Sequence, residues 1–129
     1  MTTDNSLKKR LSLPYEEALE PVKEELKQEG FGVLTEIDMK STLREKLDVD
    51  FRKYTIIGAC NPPLAHKALQ AELEVGLLLP CNVIVYEDEN ESVVTAFDPE
   101  AAFGITDDAE LATVAREAKA RLQRVIAAL

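Results

Sequence analysis

Residues 54–63, with the sequence YTIIGACNPP, predict a buried strand that leads directly into a helix. Over 54–60, apolar residues fall on both faces of the strand, because successive side chains point in opposite directions. Asn61 can cap the following helix, and the two prolines after it occupy positions whose N–H groups have no partner within a helix. A sheet in water needs only one buried face, so something must cover the second face of this strand.

The spacing of apolar residues on either side of this stretch predicts the remaining elements. Alternation with a period of two predicts strands, and apolar residues three and four positions apart predict helices. The final helix has the longest apolar stripe, from Leu111 to Leu129, and Thr106 or Asp107 can cap it. The predicted strands cover 7–13, 31–38, 54–60, 82–86 and 92–97, and the predicted helices cover 15–29, 39–48, 62–74 and 107–129.

These elements predict a single α+β domain over residues 1–129, built on a mainly antiparallel sheet of about five strands with helices packed on it. The third, fourth and fifth strands carry apolar residues on both faces, as Ile56 and Ile57 do in the third. Either the helices divide between the two faces, or a second copy of the chain covers one of them. We favour a homodimer as the hypothesis.

The composition restricts the classes of partner. The chain has 24 acidic and 15 basic residues among 129, and its net charge of −9 repels nucleic acid and anionic lipid. The N-terminal residues lack the apolar run of a signal peptide, and no stretch approaches the ~20 apolar residues of a membrane span. We therefore expect a cytoplasmic protein that binds neither nucleic acid nor membranes.

Cys60 and Cys81 are the cysteines of the chain, and each stands at the end of a predicted strand and is followed by an asparagine, Asn61 and Asn82. A reducing cytosol keeps such cysteines as thiols. Cys60 lies just before a helix start, where free N–H groups and the helix dipole favour a thiolate. The alternative is that Cys60 is a small buried residue of the core. If the third and fourth strands are neighbours, both thiols reach one edge of the sheet.

Two further residues extend this candidate site. Glu72 falls in the middle of the apolar arc of the predicted 62–74 helix, so a carboxylate is expected to point inward. His66, the only histidine, lies near the edge of the same arc. Cys60, Cys81 and His66 could hold a single transition metal, with Glu72 as a further ligand or beside one. The chain has no phosphate loop and no dinucleotide or flavin signature.

The run GFGVLTEIDMKSTLREKL, the segment 58–63, the segment 79–83 and the pair 98–99 resemble the family of the domain of unknown function 302. The resemblance covers nearly the whole chain. It implies a curved antiparallel sheet with helices on it, in the layout of a TATA-binding-protein half, and it implies no activity and no DNA binding. The positions that match the family pattern are Glu36, Cys60, Asn61, Pro62, Glu72, Pro80 and Cys81.

Three classes of function follow from these observations. We favour a domain that binds a small ligand or a metal, or senses thiol oxidation, at a pocket around Cys60 and Cys81. The second is a thiol- or metal-dependent enzyme with Cys60 as nucleophile or ligand, His66 as base and Glu72 as proton carrier. The third is a structural or interaction module in which these residues only pack.

Overall fold

The structure is a computed structural model that describes residues 4–104 and 107–129. Within those two ranges, none of the helices is long and apolar enough to cross a membrane. Two 3₁₀ turns cover Asn5–Leu7 and Leu73–Leu78. The strands are β1 (Lys8–Leu11), β2 (Gly32–Asp38), β3 (Tyr54–Cys60), β4 (Cys81–Asp88) and β5 (Glu91–Ala96), and the helices are α1 (Tyr15–Gln28), α2 (Met39–Leu47), α3 (Pro62–Ala71), α4 (Pro99–Phe103) and α5 (Ala109–Ala127).

The five strands form one sheet in the order β1-β5-β4-β3-β2, and all neighbours are antiparallel. The predicted α+β class with an antiparallel sheet is therefore confirmed. The third strand covers the predicted residues, and β4 lies beside it as the cysteine hypothesis requires. The layout of a TATA-binding-protein half stays a prediction of the resemblance.

One face of the sheet carries the main hydrophobic core. Alternate residues of the central strands, such as Ile57 in β3 and Val83 in β4, are fully buried against α1 and α5. Helix α3 lies over the end of the same face, where it lines a cavity together with Ala59 and Cys81. Helices α1, α3 and α5 thus share one face and do not divide between the two.

The opposite face carries three rows of uncharged residues in register across β2 to β5, and we call these rows the open face. On the same side of the sheet lie Lys8 and Arg10 of β1 and the next row of β4 and β5, Asp88 and Glu91. Helix α2 follows β2 and buries none of its residues fully. The apolar positions that the sequence placed on the second face therefore lie on the side away from α1, α3 and α5. The rows are Thr35, Gly58 and Asn82; Ile37, Ile56, Ile84 and Thr95; and Tyr54, Tyr86 and Val93.

Two predicted helix boundaries are wrong, and one short helix is absent from the prediction. Helix α3 ends at Ala71 instead of near residue 74, because the backbone at Glu72 is extended, with φ −150° and ψ 111°. The segment after the sheet contains α4, whose capping Asp98 side chain accepts hydrogen bonds from two backbone N–H groups. Helix α5 is capped by Asp108 and not by Asp107, and Thr106 lies outside the described residues.

Gly58 in β3 leaves room for the side chains of Thr35 and Pro80 to pack closely against the strand. A Cβ atom at this position would lie 2.2 Å from Oγ1 of Thr35 and 3.0 Å from Cγ of Pro80. Pro80 follows a cis peptide bond directly before β4. The absence of a side chain at Gly58 therefore lets β2 and the residue before β4 close over the end of β3.

We expect Gly58→Ala to lower the free energy of unfolding by roughly 2 kcal/mol, because the added methyl group forces β2 or Pro80 to move. Urea unfolding measures this loss. Gly76→Ala is the matched control, since a Cβ there meets nothing within 4 Å. Equal stability of the two variants would contradict the close packing around Gly58.

Candidate functional site

The two cysteines lie at adjacent strand ends and share one cavity. Cys81 pairs with Ala59 across the sheet, so Cys60 is its diagonal neighbour and not its direct partner. Both are free thiols, and both line a cavity of about 30 Å³. A cavity of that size holds one or two water molecules and no organic ligand. Its other lining residues are Phe31, Ala59, Asn61, Leu64, Ala65, Ala68, Leu79, Pro80, Pro99, Phe103, Val114 and Ala118.

The Cys81 thiol is protonated at neutral pH. Burial raises its pKa from 9.0 to about 11, and the nearby Cys60 adds a smaller increase, since a second negative charge there is unfavourable. Cys81 is only 7% exposed. A buried, protonated thiol is a poor nucleophile and a poor metal ligand, so Cys81 packs as a small core residue.

The start of α3 offers no free N–H group to a thiolate. Pro62 and Pro63 have no N–H, and the Leu64 N–H donates to Oδ1 of Asn61 at 3.4 Å. The next N–H, that of Ala65, donates to the Asn61 carbonyl. The prediction that Asn61 caps the helix is confirmed. The prediction that this helix start presents free N–H groups to Cys60 is wrong, because the prolines and the cap remove them.

Asn61 connects the start of α3 to the end of α1 and, through a shared carbonyl, to α5. The Glu29 carbonyl, just after α1, accepts from Asn61 Nδ2 at 3.3 Å and from Arg121 Nη1 of α5 at 3.0 Å. Gly30 follows with φ +85°, the left-handed conformation in which a glycine commonly ends a helix. A Cβ at Gly30 would lie 3.0 Å from Asn61 Nδ2. The glycine therefore lets the asparagine reach the carbonyl.

A groove of about 580 Å³ opens beside this junction, between α3 and α5. It shares Asn61, Leu64 and Val114 with the thiol cavity, so the two adjoin. Its volume falls in the usual range for small-molecule sites. The other lining residues are Gly30, Pro63, Lys67, Thr113, Glu117 and Arg121.

Two cations line the groove, and the fold holds them differently. Arg121 is fixed by Glu29 and by Glu117, whose Oε1 lies 2.8 Å from Arg121 Nε. These contacts leave Nη2 of Arg121 without a hydrogen-bond partner in the described part of the chain. Lys67 is exposed on α3 and forms no ion pair with any described residue. The groove therefore presents two positive groups against one carboxylate.

Two of the predicted site residues on α3 lie away from the cysteines. Glu72 is exposed and its carboxylate accepts from the Glu74 N–H at 3.1 Å, so the prediction of an inward carboxylate is wrong. The reason is the early end of α3, which removes Glu72 from the helical arc. His66 is exposed and does not line the cavity that Cys60 and Cys81 share.

The remaining predicted residues have structural neighbours. Glu36 on β2 pairs with Lys23 of α1 at 2.9 Å and raises the pKa of that lysine. Asn82 is exposed in register with Gly58 on the open face. Among the described residues, no three His, Cys, Asp or Glu side chains are grouped so that they could hold a metal ion. The predicted metal set is therefore not brought together.

Sequence reasoning missed the two groove cations. Lys67 and Arg121 stand on the polar sides of amphipathic helices, where basic residues are common and carry no local signal. Arg121 becomes distinctive only through Glu29, which is 92 residues away along the chain. This pairing is visible only in the folded chain.

The comparisons with known proteins agree with the resemblance seen in the sequence. The family described as "Domain of unknown function DUF302" matches residues 7–129. The search of curated proteins returned no match. Among solved structures, the chain is similar to an uncharacterised conserved DUF302 protein from Bacillus stearothermophilus, with 32% sequence identity and a TM-score of 0.86 over 94% of each chain.

The raised pKa of Cys81 predicts a loss of stability in alkali. Because the folded-state pKa of about 11 lies above the unfolded value of 9.0, the protonated thiol stabilises the fold below pH 9. This contribution is lost as the pH rises through 11, and it amounts to roughly 3 kcal/mol. Urea unfolding between these pH values should show the decline in the native chain.

Cys81→Ala removes the titrating group and should decline less steeply over the same interval. Cys60→Ala is the matched control. It should keep most of the decline, because burial is the larger cause of the shift. Identical pH profiles for the native chain and Cys81→Ala would show that Cys81 ionises equally well in both states.

Proposed function

The chain belongs to the DUF302 family, and we propose that this member binds a small organic anion in the groove between α3 and α5. The observation that carries the proposal is the pair of cations, Lys67 and Arg121, in a groove of ligand size. The thiol cavity adjoins the groove and supplies a packed apolar wall. This proposal keeps the expected small-ligand role and moves the ligand from the thiols to the groove.

The thiol cavity and the groove differ in volume. The thiol cavity of about 30 Å³ admits water, whereas the groove of about 580 Å³ has the volume of a site for a small molecule. Leu64 and Val114 line both, so an apolar part of a ligand can lie against the side chains that cover the cysteines. The favoured ligand has a small apolar body.

Charge determines the other part of the ligand. A chain with a net charge of −9 repels anions over most of its surface. Arg121 is already oriented by Glu29 and Glu117, so binding an anion costs little side-chain entropy. A carboxylate accepts hydrogen bonds from a guanidinium in a planar geometry, and Lys67 adds a mobile second charge. The ligand class is therefore a carboxylate joined to a small apolar group.

The geometry favours this function over the thiol enzyme. That hypothesis requires a base beside Cys60, and His66 and Glu72 both lie exposed outside the shared cavity. Cys81 holds its proton at neutral pH. A role in thiol sensing would have to rest on Cys60 alone.

Titration with benzoate, butyrate and inorganic phosphate, followed by NMR shifts of backbone amides, tests the proposal. We expect benzoate to bind with the largest shifts around Asn61, Lys67 and Arg121. Benzyl alcohol, which has the ring without the charge, should bind at least about tenfold more weakly. Failure of all three anions to shift these amides at roughly 10 mM would contradict the proposal.

Charge-removing variants locate the binding. Lys67→Gln and Arg121→Gln should each weaken benzoate binding about tenfold, the effect of losing one charge-assisted hydrogen bond. Lys46→Gln is the matched control, since Lys46 is an exposed lysine of α2 that does not line the groove. Equal weakening by all three variants would indicate a general charge effect and no site in the groove.

A further inference from the structure

The open face is a set of uncharged rows bordered by charged residues. Arg10 of β1 continues the row of Val93 and forms ion pairs with Asp88 and Glu91 in the next row. The ten residues of the open face, in register across β2 to β5, include no Asp, Glu, Lys or Arg. Its central row places Ile37 beside Ile56, and Ile56 beside Ile84. Apolar rows of this kind are normally covered, and α1, α3 and α5 lie on the other face.

The apolar surface continues from the open face to the segment that follows α2. The ring of Phe51 lies 6.3 Å from that of Tyr54, which stacks on Tyr86 at 5.5 Å. Phe51 and Val49 are both exposed, and Leu47 at the end of α2 is 66% exposed. Helix α2 also carries Met39 and Leu43 at four-residue spacing from Leu47, without burying any of them fully. The exposed apolar residues therefore run from Ile37 on the edge strand to Leu47, Val49 and Phe51, whereas Val93 in the middle of the sheet is only 3% exposed.

We propose that a second copy of this chain covers the open face, so that the protein is a homodimer with its two sheets packed face to face. The net charge of −9 supports this choice of occupant. Two copies repel each other, and the three uncharged rows are where they can approach without bringing unpaired acidic groups together, because Asp88 and Glu91 beside these rows are paired with Arg10. The inference is independent of the groove, which lies on the helical side.

In a dimer formed through the open face, a basic residue at one side of the face complements an acidic residue at the other side. Lys8 of β1 ends the central row beside Thr95, and it is exposed without an ion pair to any described residue. Glu45 of α2, the helix that joins the opposite edge strand β2 to β3, is also exposed and has no ion pair within the described chain. A two-fold axis parallel to the strands places Lys8 of each copy on the side of its partner's α2.

We favour a dimer in which the open faces pack together over one in which the edge strands β2 pair. Strand β2 is an edge strand, but its register with β3 shifts between Val33 and Thr35. A bulge of this kind disrupts the regular row of N–H and C=O groups that another strand would need. The side chains of the face are therefore the better contact.

The size of the face indicates which other segment takes part. Four strands spaced ~4.8 Å apart and about six residues long give a surface of roughly 20 by 20 Å. A stable dimer buries about 800 Å² on each partner. The sheet alone falls short of this area, so Leu47, Val49 and Phe51 are expected to contribute.

Light scattering after gel filtration tests the proposal on the full chain. At micromolar concentration the native mass should be twice 14.3 kDa. Ile37→Lys adds a charge to the central row at a position 44% exposed and should return the mass to 14.3 kDa. Leu77→Lys is the matched control, because Leu77 is 84% exposed in the 3₁₀ turn before β4. This variant should remain a dimer.

Ile37→Thr is a milder variant that keeps the branched Cβ, and it should raise the dimer Kd at least about tenfold. It keeps the test valid if the lysine variant does not fold. Circular dichroism checks that each variant is folded. A monomeric native chain at roughly 100 µM would overturn the proposal and leave the face to a different partner. A dimer unaffected by both Ile37 variants, or one dissociated by Leu77→Lys, would overturn it as well.

Discussion

The antiparallel pairing of β3 with β4 is the constraint on which both surfaces of the molecule depend. It sets Ile57 against Val83 on the helical face and Ile56 against Ile84 on the open face. Because neighbouring residues of a strand point to opposite sides, one register determines both surfaces. A shift by one residue would exchange the buried and open sets, so burial of Ile57 under α1 and α5 also fixes which side chains lie on the open face.

Short-range signals made much of the fold predictable from the sequence. Tyr54–Cys60 was predicted as a strand and Asn61 as a cap because their apolar pattern and hydrogen-bonding chemistry act within a few residues. The end of α3 was not predictable in this way. Ala71 and Glu72 continue a helical pattern, and the helix stops where the backbone turns into the 3₁₀ turn before β4. Tertiary context therefore decided the position of the carboxylate.

The candidate site shows the same contrast between features that local sequence predicts and features that depend on tertiary structure. The sequence singled out Cys60, Cys81 and Asn61, and the structure does gather these three around one cavity. It could not indicate Arg121, whose orientation depends on the carbonyl of Glu29, 92 residues away. A backbone carbonyl has no residue-specific signal, so a side chain that it positions is found only in the folded chain.

Burial gives the cysteines and the groove cations different chemical properties. Removing Cys81 from water is favourable for a small apolar side chain, and the same removal raises its pKa and suppresses its ionised form. An anion-binding cation has the opposite requirement, since it must keep its charge and its access to water. Arg121 meets both conditions, because Glu29 and Glu117 hold it in place while Nη2 stays available to a ligand within the described structure. Ligand recognition in this fold is therefore expected at the rim of the helical layer and not at the buried thiols beneath it.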